Sequence, residues 1–144
     1  MTRSSPDHAA PPRWFWIPAL VAVAWNAMGA FMYLGSVGLF GDPTVGLNEA
    51  ERAFDENMPA WITAAFATGT LAGLAGSVGL LLRRRWAWPL VLVSLAALLL
   101  LEGWIIFLSG ALPLFGLGLP LAVVSGALLL TWLAFTARGK GWLR

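Results

Sequence analysis

The sequence predicts an all-α membrane protein: a four-transmembrane-helix bundle with both termini cytoplasmic and a short amphipathic helix in the first external loop. Three observations predict it. Hydrophobic residues make up 59% of the 144 positions and charged residues only 11%, against about 25% charge in an ordinary soluble domain. Four apolar runs each reach about twenty residues, the length a helix needs to cross the hydrocarbon core. Of the 9 Lys and Arg residues, all but Arg52 fall at the same end of the threaded chain. The 9 basic and 7 acidic side chains are too few to cover a water-facing globule of this size, which excludes a soluble enzyme or a nucleic-acid-binding domain. Cysteine is absent and the single histidine, His8, lies in a polar tail. Disulfides, thiolate metal sites and haem ligation therefore lack their usual ligands, and neither catalysis nor a cofactor is expected.

In chain order, residues 1–13 form a tail expected to be disordered on the cytoplasmic side. The first span covers about 15–38, with Pro18 in its first turn, where a missing N–H costs little. A cleaved signal peptide over the first 30 residues is the competing reading. The apolar stretch runs on through Phe31, Tyr33, Leu34 and Phe40, longer than a signal core, which favours a retained helix. The connection that follows carries Asp42, Glu49, Glu51, Asp55 and Glu56 against Arg52. Within it, Asn48 and Glu51 have the spacing of a capping box. Leu47, Ala50, Phe54 and Met58 recur at three- and four-residue steps, so a short amphipathic helix should lie on the outer surface or cap the bundle.

The second span, about 60–82, follows Pro59 and carries small residues at Ala65, Gly69, Ala72, Gly73 and Gly76. They lie near one face and let a neighbouring helix approach closely, in this chain or in another. A bulky residue at Gly73 is expected to cost more than truncation of Leu80 or Leu81. The tight Arg83-Arg84-Arg85 junction leads into a third span, about 87–108, with Pro89 near its start. The fourth, about 117–137, starts near Pro120 and ends before Arg138, Lys140 and Arg144. Short loops rich in Lys and Arg stay cytoplasmic, which sets both termini inside. Six of the 9 tryptophans, Trp14, Trp16, Trp61, Trp86, Trp88 and Trp142, fall where an interfacial aromatic belt is expected. Trp25, Trp104 and Trp132 lie deeper and line a cavity, fill the bundle interior or face lipid.

Glu102 is the one acid well inside a span. A central acidic residue costs roughly 3 kcal/mol to insert, which the many Leu, Ile, Val and Phe residues of the third span offset at roughly 0.3 to 0.6 kcal/mol each. At 1.5 Å per residue it stands about 24 Å beyond Trp86, some 6 to 9 Å inside the outer boundary. At that depth it either hydrogen-bonds within the bundle or the interface, or serves as a proton or substrate site. Asn26, Thr68 and Ser125 fall at comparable depth on the other spans, so with Glu102 they are expected to form one polar layer, in which their N–H and O–H groups donate to the carboxyl. Ordinary interhelical hydrogen bonding that fixes register is the alternative reading of these residues.

Several features resemble an uncharacterised family of small bacterial four-transmembrane-helix proteins, whose members are sometimes labelled sugar transporters. They are Trp25-Asn26 with Gly29 and Tyr33, the acidic loop running into Pro59-Ala60-Trp61, the small-residue span, and Arg83-Arg84-Arg85-Trp86-Ala87 ahead of Ser94-Leu95. The likeness covers most of residues 20–110, and the last span shares hydropathy alone. It implies residence in the inner membrane and a transport role; no catalytic residues carry over. The expected function is therefore transport-related, proton-linked movement of a small solute. An accessory subunit of a larger membrane complex is the reading from another class. The partners expected are the lipid bilayer and a second copy or a larger complex, with no nucleic acid.

Overall fold

The computed structural model describes residues 10–144. His8 and residues 1–9 of the expected tail lie outside the described residues. Arg13–Phe15 form a 3-10 turn that runs directly into α1, Trp16–Ser36. The other long helices are α3 (Ala60–Leu81), α4 (Ala87–Phe107) and α6 (Gly118–Gly139), joined by the short helices α2 (Glu49–Glu56) and α5 (Leu112–Phe115). All four long helices are apolar and long enough to cross a membrane, so the chain is a multi-pass membrane protein by length and composition. Each begins within about two residues of the start its sequence predicts. A proline at the helix N-terminus lacks only a donor that has no intrahelical partner, and here Pro59 serves as the N-cap of α3.

The small residues of α3 explain why α3 and α4 form the most extensive helix pair. A Cβ built on Gly69 would stand 2.7 Å from Leu98, one on Gly76 2.8 Å from Val91, and one on Gly79 2.7 Å from Trp86. Such distances mean that the glycines are the contact itself, and that their absent side chains let α4 come close. The pairs 69 with 98 and 76 with 91 describe an antiparallel register. On its other side α3 meets α1, also antiparallel, with Gly29 against Thr70 and Tyr33 edge-on to Phe66 at 5.5 Å between ring centroids. The seam is thus used within the chain. Ala65 is buried with it, and Ala72 is half-buried. Leu80 is fully buried beside Ala87 and Val91, so its truncation would open a core cavity. The bundle closes through α6, which packs on α4 and touches α1, where the Trp25 indole lies against Gly126.

Two apolar clusters hold the ends. Toward the arginine-rich junction, Phe15, Leu80, Val91, Leu133, Trp142 and Leu143 pack together. Trp142, expected as an interfacial anchor, is only 5% exposed. The chain after α6 turns back under the bundle and brings its ring against Phe15 at 5.4 Å and Trp14 at 5.9 Å. Toward the other end, Ile62, Leu98, Leu101 and Ala127 form the second cluster. Above it α2 carries the full capping box: Asn48 Oδ1 accepts from Glu51 N–H and Glu51 Oε2 accepts from Asn48 N–H, both at 2.9 Å. Its Phe54 meets Trp104 at 5.6 Å and Phe115 at 5.0 Å, so α2 caps this end of the bundle through its apolar face.

Candidate membrane-embedded polar site

Side chains inside the bundle must bring their own hydrogen-bond partners, because hydrocarbon supplies none. Most of the buried hydroxyls do so locally. Thr70 donates to Phe66 O at 2.9 Å, Ser77 to Leu74 O at 2.9 Å and Thr131 to Ala127 O at 2.8 Å, each within its own helix. Ser94 behaves differently: its Oγ donates across to Gly69 O at 2.6 Å and stitches α4 to α3. Asn26 is buried on α1 and its Nδ2 donates to Ala22 O at 2.8 Å. Both point at Gly73, where an added Cβ would collide with Asn26 Oδ1 and lie 2.8 Å from Ser94 Oγ. Asn26, Gly73 and Ser94 thus form one tightly packed polar contact between three helices, and only the glycine leaves room for the two side chains.

The polar layer expected from depth alone is not assembled. Thr68 and Ser125 lie on exposed faces of α3 and α6, turned away from the interior. Thr68 sits one residue from buried Gly69, a rotation of about 100° around the helix axis. Asn26 is inside, but it meets Gly73 and Ser94 rather than Glu102. Glu102 lies eight residues beyond Ser94 on α4, about 12 Å further along the axis. Ser94, which sequence reasoning did not single out as polar lining, carries the one interhelical bond among these hydroxyls. The signal for it was present in its spacing from Val91 and Leu98, since steps of three and four place all three on the face turned to α3.

Glu102 itself is 5% exposed. Its Oε2 is buried and no donor among the described residues reaches it. The register that pairs Leu98 with Gly69 puts Ala65 opposite Glu102 on α3, and Leu101 beside it packs with Ile62 and Ala127. The surroundings are therefore apolar. Among the deeper tryptophans, Trp25 and Trp132 have exposed faces. Trp104 lines a cavity of about 800 Å³ together with Phe54, Asn57, Leu108 and Ser109. That cavity lies between α2 and the α4–α5 connection, at the end of the bundle nearer Glu102, and Glu102 is not among its walls. No group of three His, Cys, Asp or Glu side chains that could hold a metal ion exists among the described residues.

These features define an all-α, multi-pass bundle with one buried acid among the described residues. Comparison of the chain with protein-family models, characterised proteins and solved structures returns no match.

Proposed function

We propose that this chain is a transport-related protein of the bacterial inner membrane, with both termini cytoplasmic, in which Glu102 carries a proton linked to movement of a small solute. The observation behind the reading is the carboxyl of Glu102, buried beside apolar side chains with no donor to Oε2 among the described residues. An unpaired carboxylate removed from water costs several kcal/mol, and Leu in its place would pack at no such penalty. Ionisable groups kept inside membrane spans mark proton relays and ion paths. The sidedness rests on Arg83, Arg84, Arg85, Arg138, Lys140 and Arg144 at one end and the acidic 39–58 connection at the other. Resemblance to small four-span proteins labelled sugar transporters agrees with this class of role, and makes sugars the first solutes to try. A second copy completes the path in this reading, because four helices enclose little space of their own.

The test is solute uptake into proteoliposomes over a range of pH, with sugars first in the panel. Glu102→Gln keeps the shape and cannot change charge, so it should fold and lose the pH dependence of uptake. Equal uptake by wild type and Glu102→Gln at every pH would remove the proton-carrying role. The second reading is a non-catalytic accessory subunit, favoured by the outward-facing Thr68 and Ser125. Small hydroxyl residues on such faces are what a partner helix uses. It predicts no uptake by wild type across the panel and recovery of a defined larger complex after mild detergent extraction.

A further inference from the structure

At the arginine-rich end, the chain after α6 is folded back onto the junction between α3 and α4. Two helix ends make this geometry. At the end of α6, Gly141 takes a left-handed φ of 68°, and Trp142 N–H donates back to Ala137 O at 2.9 Å, closing the helix and reversing the chain. At the end of α3 the same left-handed position is held by Arg83, with φ 59° and no glycine to relieve it. Arg84 N–H donates to Gly79 O at 2.7 Å there. The two reversed segments then clasp each other. Arg144 N–H donates to Arg83 O at 2.5 Å, Arg85 N–H to Arg144 O at 3.0 Å, and Arg83 Nε to Trp142 O at 2.9 Å. Burial of Trp142 and Leu143 in the core anchors the clasp.

The clasp concentrates positive charge. Arg83, Arg84, Arg85, Arg138, Lys140 and Arg144 all stand at this end, while every acid of the described residues lies in the 39–58 connection or at Glu102. Burial, and beside it the charge of Arg144, hold Arg83 below the usual guanidinium value. Beside the clasp lies a cavity of about 330 Å³ bounded by Arg85, Trp88, Arg138, Gly141 and Leu143. The exposed Arg138 guanidinium lies 5.0 Å over the Trp88 ring, a cation–π contact that favours its place at the cavity edge. Trp88 is in turn set edge-on to Phe135 at 4.0 Å. Two guanidinium groups thus border one cavity, and among the described residues no Asp or Glu side chain stands at this end, a geometry suited to bidentate recognition of phosphate oxygens.

We infer that this cavity binds a phosphate ester, and that its source is the headgroup of an acidic phospholipid in the leaflet on this side. The lipid source follows from position. The cavity sits where α4 begins and α6 ends, with exposed Leu92, Trp132 and Phe135 just beyond it along those helices, apolar surfaces on which acyl chains can lie. Basic pockets between membrane helices take such headgroups. The inference is independent of the role of Glu102.

The experiment compares wild type, Arg85→Gln/Arg138→Gln and Arg52→Gln, purified in mild detergent, by native mass spectrometry and thermal melting. The probes are phosphatidylglycerol, phosphatidylcholine and inorganic phosphate. Wild type and Arg52→Gln should hold phosphatidylglycerol in preference to phosphatidylcholine, with a raised melting temperature. The double variant should bind phosphatidylglycerol about thirtyfold more weakly, about 5.4-fold for each arginine lost. Inorganic phosphate at the same concentration should leave the melting temperature and the bound lipid unchanged. Equal retention of the two lipids by wild type, or retention of phosphatidylglycerol by a folded double variant at the wild-type level, would overturn the site. Displacement of the lipid by inorganic phosphate at matched concentration would overturn the lipid source. Should the double variant not fold, Arg138→Lys with Arg85→Lys keeps the charge and removes the planar fork. Wild-type affinity in that variant would contradict bidentate recognition.

Discussion

At Gly73 three helices leave space for nothing larger than hydrogen. The two side chains that would have to yield, Asn26 and Ser94, are each tied by their own hydrogen bond, so neither can retreat without leaving a carbonyl or a donor unpaired. Gly73→Ala is therefore expected to destabilise the bundle by about 1 to 3 kcal/mol. Gly103, on the same helix as Ser94, has nothing within 4 Å of an added Cβ. There the same substitution should be neutral or stabilising by up to about 1 kcal/mol, since alanine is the better helix former. Thermal melting of both variants in one detergent measures the contrast, and equal losses would mean that Gly73 is not packed as described. Ser94→Ala removes the interhelical bond to Gly69 O, and should cost about 0.6 kcal/mol with about 1.7 as the upper end. At this scale the sequence was legible in depth and not in azimuth. Glu102 stands out on composition alone, as the one acid within a span. Thr68 and Ser125 have suitable heights, but a rotation of about 100° per residue turns a hydroxyl from the interior to the exterior. Which way it turns depends on which neighbouring helix the glycines admit.

Among the elements, α2 shows how far a local rule reaches. Asn48 and Glu51 satisfy each other's backbone donors whether or not the bundle is present, so the start of this helix could be read from four residues. That its Phe54 would settle between Trp104 and Phe115 could not, because those rings come from α4 and α5, some fifty residues or more away in the chain. Asn48→Ala should cost about 1 kcal/mol of local helix stability. It should speed amide hydrogen exchange in 49–56 while leaving the four long helices unchanged; unaltered exchange there would mean that docking rather than the cap holds α2. Just before it, Thr44 donates from both its hydroxyl, at 2.7 Å, and its backbone N–H, at 2.9 Å, to Asp42 Oδ1. These bonds hold the Asp42 carboxyl below its ordinary value of 3.8. The sign follows: the turn is supported at pH above that value and loses the support as pH falls through the lower folded-state value. Titration followed by the Asp42 side-chain resonance should give a lower pKa in wild type than in Thr44→Val. Equal values would mean that the hydroxyl bond contributes nothing. The clasp of 142–144 on 83–85 was not legible in the sequence, which read Trp142 as an interfacial anchor. The reversal depends on Gly141 together with the apolar site waiting beneath Phe15 and Leu80.

For the whole molecule, hydropathy and prolines were enough to draw four helices and their order, because a bilayer leaves a helix few alternatives. Sidedness is a separate matter of charge. Since the chain has no cysteine, single cysteines report it cleanly. Thr44→Cys should react with an impermeant thiol reagent in intact cells, while Arg138→Cys should react only after the membrane is opened; the reverse pattern would invert the topology. In the function proposed, Glu102, buried without a donor to Oε2 among the described residues, takes up and releases a proton inside the bundle. The most direct measurement is infrared difference titration of the protein in lipid vesicles, which sees the C=O stretch of a protonated carboxyl. A titrating carboxyl band should appear in wild type and be missing from Glu102→Gln. Identical difference spectra for the two proteins would contradict it.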